Sequence, residues 1–380
     1  MNRTGRIILS VICALLILAA PFAVSSPSLL PGAKWDIMQE QNGDDDEVEL
    51  DFGRLFLSTA RAEEEAEEET ADEPDEVTEE NADGEDSGLT AAQELPLDFS
   101  VPPAPKAENF TEDGYEDESI RVKVEQREED GVIWHLAFIE IASPTQIRTA
   151  TAVSADMDEV YRTGSEKDLE KALKKTLTST RANSVSGMAR ANHAVVAING
   201  DNYQGETAKK TFEYRMGQKI RSKTNKAKDM LIIDENGDFH LVLAAPAKEQ
   251  TAALEAAAKD HTIVNAFTFG PALVIDGEEQ EISKEYGFNP NRPEPRSAIG
   301  QTGPLSYVCV IAEGRGESSG ASIQALAHYM KELGCLQAFN LDGGNSAEMT
   351  FGEKVFKGMP GGDERGLNDV IYFATAVPEE

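Results

Sequence analysis

Cysteine is scarce in this 380-residue chain: of three, Cys13 sits inside an apolar run and only Cys309 and Cys335 lie beyond it. A disulfide-dense scaffold is thereby excluded. The apolar flanks Tyr307-Val308-Cys309-Val310 and Leu333-Gly334-Cys335-Leu336 read as two buried thiols. A single bridge stays open, since pairing needs Cα atoms within about 7 Å. Basic charge is also scarce, with 35 lysines and arginines against 69 acidic residues and a net charge of −34. Basic patches interleaved with aromatics are missing, so nucleic acid is not an expected partner. The five histidines, His135, His193, His240, His261 and His328, lack a metal-site spacing such as H-E-x-x-H, so no catalytic zinc is expected. Repeats of solenoid length are absent too.

Long hydrophobic runs are limited to the N-terminus. Arg3 and Arg6 precede an apolar stretch from Ile7 to Val24, which gives residues 1–26 the form of a signal peptide or membrane anchor. Ala23 and Ser25 offer small residues for cleavage, while a run of about 18 residues also suits a membrane-crossing helix. Run length favours the anchor, and either route takes the chain out of the cytoplasm. Residues 27–109 read as a disordered acidic linker. Between Gly43 and Gly88, 21 acidic residues face only Arg54 and Arg61, and these hold over half of the net charge. Such a segment repels itself and stays solvated, although an acidic arm for cationic partners is a rival reading. Val101-Pro102-Pro103-Ala104-Pro105 then stiffens the approach to a folded part at 110–380.

That part alternates strand and helix signals. Ser119 to Gln126 and Val132 to Ile141 have period-two patterning around Glu129-Asp130-Gly131, which predicts a β-hairpin. Asp229 to Asp234 and Asp238 to Leu243 flank Glu235-Asn236-Gly237 in the same way, and Pro271 to Ile275 runs into Asp276-Gly277. Helices are expected at Glu166 to Leu177, Val185 to Asn192 and Ser322 to Leu333, with Gly334 as the C-terminal cap. The expected class is α+β: a mixed, largely antiparallel domain of one sheet or two, with interleaved helices.

Three segments carry chemistry. The apolar strand His193 to Ile198 ends in Asn199-Gly200-Asp201. The rigid loop Asn289-Pro290-Asn291-Arg292-Pro293-Glu294-Pro295 delivers Arg296 into Ser297-Ala298-Ile299-Gly300. Asn340-Leu341-Asp342-Gly343-Gly344-Asn345-Ser346-Ala347-Glu348 sets carboxylates, an amide and a hydroxyl on a glycine-rich turn. Gly343 and Gly344 leave the backbone bare and can take positive φ, so N–H groups can face an anion or a sugar oxygen. A plain Asp-Gly hairpin turn is the alternative.

In this order, the three segments resemble the phosphodiester glycosidase family, with its A-x-N-G-D, P-R-[TS]-A-I-G and L-D-G-G-G-S motifs. That family includes the lysosomal "uncovering" enzyme, which removes N-acetylglucosamine from a phosphodiester-linked sugar, and bacterial exopolysaccharide-associated homologues. The resemblance extends over roughly residues 110–376 and includes the closing Glu364-Arg365-Gly366-Leu367-Asn368-Asp369. Asn345 stands where the family has its third glycine, and Glu348 replaces a usual small or hydroxylic residue.

The resemblance implies an exported hydrolase that cuts the bond between a sugar's anomeric carbon and a phosphate in a cell-surface glycan. Asp201 and Asp342, with Glu348 in reserve, are then the acid and base candidates, as in other glycosidases with two carboxyl groups. Arg296 would grip the phosphodiester in bidentate fashion, with Arg365 as a second cation. Asn199, Gly200, Gly343, Gly344, Asn345 and Ser346 would line the substrate. Ser346 as a nucleophile would need a nearby base. The oxygen-rich Asn199, Asp201, Asp342 and Asn345 could hold calcium, although sugar binding accounts for them without a cofactor. Two rival functions stay open: a non-catalytic module binding envelope glycans, and a phosphodiesterase cutting the other P–O bond.

The N-terminal run generates the first prediction. In fractionated cells, a C-terminally tagged chain should be found in the membrane or outside the cell, because Arg3 and Arg6 hold the run's start on the inner side. Recovery mainly in the cytosol would refute both the anchor and the secreted form.

Overall fold

The computed structural model describes residues 99–201, 211–223, 227–259, 261–284, 286–287 and 289–378. The expected signal or anchor and the acidic linker up to residue 98 lie outside these residues. Among the described residues, no helix is long and apolar enough to cross a membrane.

Among the described residues the strands form three sheets, and each pairing between them is antiparallel. The first has eight strands, in the order β1 (Gly114–Glu116), β2 (Ile120–Glu129), β3 (Val132–Ile141), β14 (Ser306–Ala312), β13 (Arg296–Gly303), β15 (Gln337–Asn340), β11 (Ala272–Ile275) and β12 (Glu278–Glu279). The second runs β7 (Gln218–Ser222), β6 (Phe212–Arg215), β10 (Ile263–Thr268), β8 (Met230–Asp234) and β9 (Phe239–Val242). The third runs β17 (Lys354–Lys357), β16 (Glu348–Phe351), β5 (Val196–Asn199), β18 (Asp369–Phe373) and β4 (Ile147–Thr151). Among the described residues five α-helices punctuate them: α1 (Asp158–Thr163), α2 (Glu166–Thr178), α3 (Val185–Ala191), α4 (Ala247–Ala257) and α5 (Ile323–Glu332).

Local chemistry explains the expected elements. In β2, Ile120, Val122 and Val124 point inward, and the turn to β3 uses positive φ at Asp130 and Gly131, 52° and 74°. Those values fit a hairpin turn that follows the strand twist. Ser322 caps α5 by accepting from the Ala325 N–H, and Gly334 follows that helix at φ 81°. One apolar core joins inward-facing residues of all three sheets, among them Ile139, Ile299, Phe339, Phe267, Met349 and Ile371. Helix α5 covers the outer face of the eight-stranded sheet, and α4 packs on the second. Cys309 and Cys335 are both buried and unbridged, and burial pushes the Cys335 thiol up to about 12.

The structure corrects three expectations. Among the described residues there are three sheets rather than one or two. Helix α4 was not anticipated, because its inward face is partly polar: Gln250 is buried, its amide donating to the carbonyls of Lys228 and Leu243. The folded part also starts earlier than residue 110. Phe99 packs against Tyr161, the Ser100 carbonyl accepts from Arg148 at 2.8 Å, and the Val101 N–H donates to Asp158. The Pro102 carbonyl lies 2.9 Å from His193 Nδ1. Sequence reading placed this stretch in the linker because its prolines carry no periodicity.

This strap predicts a difference between two truncations. A chain starting at Asp98 should keep the thermal midpoint of the full chain. One starting at Phe110 loses the Phe99 burial, about 1.5–3 kcal/mol, and leaves Arg148 short of an acceptor. Its midpoint should fall by about 5 °C or more. Equal midpoints in a melting experiment would show that the strap contributes nothing.

Candidate functional site

Two of the motifs meet at the ends of β5 and β15, and one amide ties them. Asn199 Nδ2 donates to the Asp342 carbonyl at 2.8 Å, and its Oδ1 accepts the Glu348 N–H at 3.1 Å. The Asp342 N–H donates to the Gly200 carbonyl at 3.3 Å. Residues some 143 positions apart therefore form one surface. Gly200 is required by close approach: a Cβ there would sit 2.4 Å from an oxygen of Asp369.

Beneath this surface lies a buried ionic cluster centred on Arg215. Its guanidinium donates to Asp201 Oδ1 at 2.8 Å, to Asp369 Oδ2 at 2.9 Å and to Glu213 Oε2 at 3.2 Å, and stacks 4.1 Å from the Phe267 ring. Asp201 Oδ2 accepts the Thr268 N–H at 2.9 Å. These carboxylates and the arginine are sealed from solvent. Three acids around one cation leave an excess of negative charge, which low-dielectric surroundings penalise. Burial, with Asp201's charge beside it, pushes the Glu213 acid well up, making it the natural seat of a proton. Burial also lifts Asp369 to about 7, against the pull of Arg215.

Asp342 differs because it is only partly enclosed. Burial raises its carboxyl; a hydrogen bond from Ser346 and the charge of Arg365 act the other way. Arg365 Nη1 donates to Ser346 Oγ at 2.8 Å, so arginine, hydroxyl and carboxylate form a chain. Lys228 supplies a second nearby cation, its Nζ 4.7 Å from the Phe269 ring centroid. Burial lowers its ammonium, and the charges of Asp201, Glu213 and Asp342 raise it.

Glu348 faces the other way, into a carboxyl pair with Glu364. Burial and the Glu364 contact push Glu348 up to about 9. Glu364 is held low in spite of its own burial by hydrogen bonds from Glu348 and from the Ser186 N–H and hydroxyl, at 3.1 and 2.7 Å. The two carboxyl groups meet at the start of α3, and Glu348 is the one of the pair that favours a proton.

Residues 192–374 match the family model described as phosphodiester glycosidase. The chain carries a phosphodiester glycosidase domain. Over 108 residues it is 32% identical to the SPbeta prophage-derived uncharacterized protein YomE of Bacillus subtilis (strain 168), a stretch covering 28% of this chain and 17% of that protein. The chain thus spans about a sixth of that relative's length. The catalytic domain of zebrafish N-acetylglucosamine-1-phosphodiester alpha-N-acetylglucosaminidase, auto-inhibited by its pro-peptide, aligns at TM-score 0.48 and 13% identity, over 72% of this chain and 87% of that one. A hypothetical protein from Synechocystis aligns at TM-score 0.40 and 14% identity, over 67% and 62%.

Within the phosphodiester glycosidase domain, Asn199, Gly200, Asp342, Gly343, Gly344, Ser346 and Arg365 come together. Other expected residues take different places. Asp201 is locked in the Arg215 cluster with both oxygens engaged, so it is not presented to a substrate. Arg296 is also turned inward: its Nε donates to the Ala321 carbonyl, and its Nη2 to those of Asn289 and Arg292, at 2.8–3.0 Å. It staples the proline loop instead of offering a fork to phosphate. Gly344's N–H is spent on the Pro295 carbonyl at 2.8 Å, and those of Ser346 and Ala347 on the turn itself, so most of the expected anion-facing amides are engaged. Asn345 points outward and accepts from Arg315 at 2.8 Å.

Sequence reading assigned no role to Glu213, Arg215, Lys228, Thr268, Glu364 or Asp369. Glu213 and Arg215 carried a faint signal: opposite charges two positions apart, alternating with Phe212 and Tyr214, share one face of a strand.

The Glu348–Glu364 pair predicts a pH effect. The folded-state value of Glu348, about 9, lies above its ordinary 4.5, so the folded chain binds the extra proton. Its contribution is complete below about 4.5 and is lost as pH rises through about 9. Glu348→Gln, which keeps a neutral side chain throughout, should lose less stability over that interval than the wild type. Parallel decline in melting experiments would show that Glu348 does not hold that proton.

Proposed function

We propose that this chain is an exported phosphodiester glycosidase, hydrolysing the bond between a sugar's anomeric carbon and a bridging phosphate in a cell-surface glycan. The observation that carries this reading is Asp342: a partly open carboxylate at the motif turn, hydrogen-bonded through Ser346 to Arg365 and near Lys228. Ordinary glycosides need a second carboxylic acid to protonate the departing alcohol oxygen. A phosphate departs as a stabilised anion, so two cations can take the place of that acid. Asp342 then acts alone, as base toward water or as nucleophile toward the anomeric carbon. Arg365 and Lys228 stabilise charge developing on the phosphate oxygens. Asp201, Asp369 and Glu213 act through Arg215, fixing the ends of β5, β18 and β10 that frame Asp342. Tethering by the apolar N-terminal run would hold the domain near its substrate.

Asp342→Asn should reduce hydrolysis of a sugar-1-phosphodiester by about 10²- to 10⁴-fold with its circular dichroism unchanged. Activity should also fall on acidification, as Asp342 takes up a proton above the usual carboxylate range. In ¹⁸O water, the label should enter the sugar's anomeric hydroxyl. Label in the phosphate would establish the phosphodiesterase reading, and binding without turnover would establish the non-catalytic module.

A further inference from the structure

At the far end of β8, about 13 Å along the strand from the residues that border the site, a second cluster of side chains has no part in this chemistry. Asp234 ends β8, its neighbour strands are β9 and β10, and His240 and His261 reach it from either side. His240 Nε2 lies 2.9 Å and His261 Nδ1 3.0 Å from the same oxygen, Asp234 Oδ2. The nitrogens and that oxygen all fall within 4.8 Å of one another.

The carboxylate is aimed, not merely present. Asp234 Oδ1 accepts the N–H groups of Asn236 and Asp238 at 2.8 and 2.9 Å, which fixes the side chain and leaves Oδ2 to the imidazoles. The Asp234 side chain is sealed from solvent, while His240 and His261 are about a quarter and a third exposed. A cation could therefore reach the cluster from outside. Two imidazole N–H groups donating to one carboxylate would be the simple account. His261 does not fit it: its Nδ1 is buried and, despite its 3.0 Å separation, forms no hydrogen bond. A ring nitrogen at that range but off hydrogen-bond geometry can turn its lone pair to a shared point instead. Glu235 Oε1 lies 3.8 Å from the same nitrogen, within reach of a fourth position.

We propose that Asp234, His240 and His261 form a zinc-binding site, with Glu235 or water as the fourth ligand. Two imidazoles and a carboxylate are ligands zinc accepts, at about 2.0–2.2 Å in tetrahedral array. Such lengths put neighbouring ligand atoms about 3.3 Å apart, a few tenths of an ångström beyond the two Asp234 contacts. The hard cations calcium and magnesium favour sets made of oxygen and fit poorly. The site clips the β8–β9 turn to the segment entering β10. Its role is to hold the second sheet together rather than to polarise a substrate.

The test uses the full chain after chelation, with zinc chloride as the probe. Calorimetry should find one zinc bound through this cluster, and the thermal midpoint should rise by several degrees with zinc and not with magnesium. His240→Ala and His261→Ala together should remove both the binding and the rise. Exposed His328, which lies beside Glu279 and Glu332, provides the control: His328→Ala should leave both intact. Should the His240/His261 double variant fail to fold, His261→Gln tests the claim through weakened binding alone. Zinc bound equally by wild type and by folded His240/His261 variants, or no zinc-dependent rise in the wild type, would overturn the proposal.

Discussion

A single buried guanidinium holds this architecture to its purpose. Arg215 reaches out of the second sheet to Asp201, at the end of β5, and to Asp369, at the start of β18, so it fastens the second sheet to the third. Moving so many ionisable groups out of water is costly unless each is paired and hydrogen-bonded. The fold meets that condition with the Thr268 N–H on Asp201, the Phe267 ring on the arginine and carbonyls around its Nη1. Removing Arg215 would leave three acids facing each other in a dry interior. The same arrangement is rigid, and it fixes the strand ends that carry the motif turn.

The sequence motifs and the structural site overlap only in part, for reasons of charge. Asp201 and Arg296 stood out because charged residues at the ends of apolar strands suggest exposure to a ligand. In the structure both are buried, and their charges serve the protein itself. Asp342 looked similar in sequence, yet its turn leaves it half open. Sequence patterning cannot distinguish these cases, since whether a strand-end charge meets another segment depends on contacts far along the chain. Asn199 and Asp342 were each legible through the family resemblance, but their contact is visible only in the structure.

The fold was more legible than the site. The β2–β3 and β8–β9 hairpins follow from period-two patterning and glycine turns, and α2, α3 and α5 from capping residues and apolar faces. Helix α4 escaped because Gln250 and Thr251 occupy inward positions where an apolar stripe would be sought. The Phe99–Pro102 strap escaped because it has no periodicity, only individual contacts. Histidine spacing did not reveal the Asp234–His240–His261 cluster because His240 and His261 stand 21 positions apart in the chain and meet only through sheet pairing.

Asn199 has a mechanical consequence. One planar amide touches the Asp342 turn with its nitrogen and the start of β16 with its oxygen, so the two segments cannot be displaced independently without breaking a buried hydrogen bond. An aspartate there would keep the shape but lose the donor and set a carboxylate against a carbonyl. The glycine-rich turn therefore moves as an extension of the third sheet, and it presents a wall of fixed shape instead of a loop that folds over.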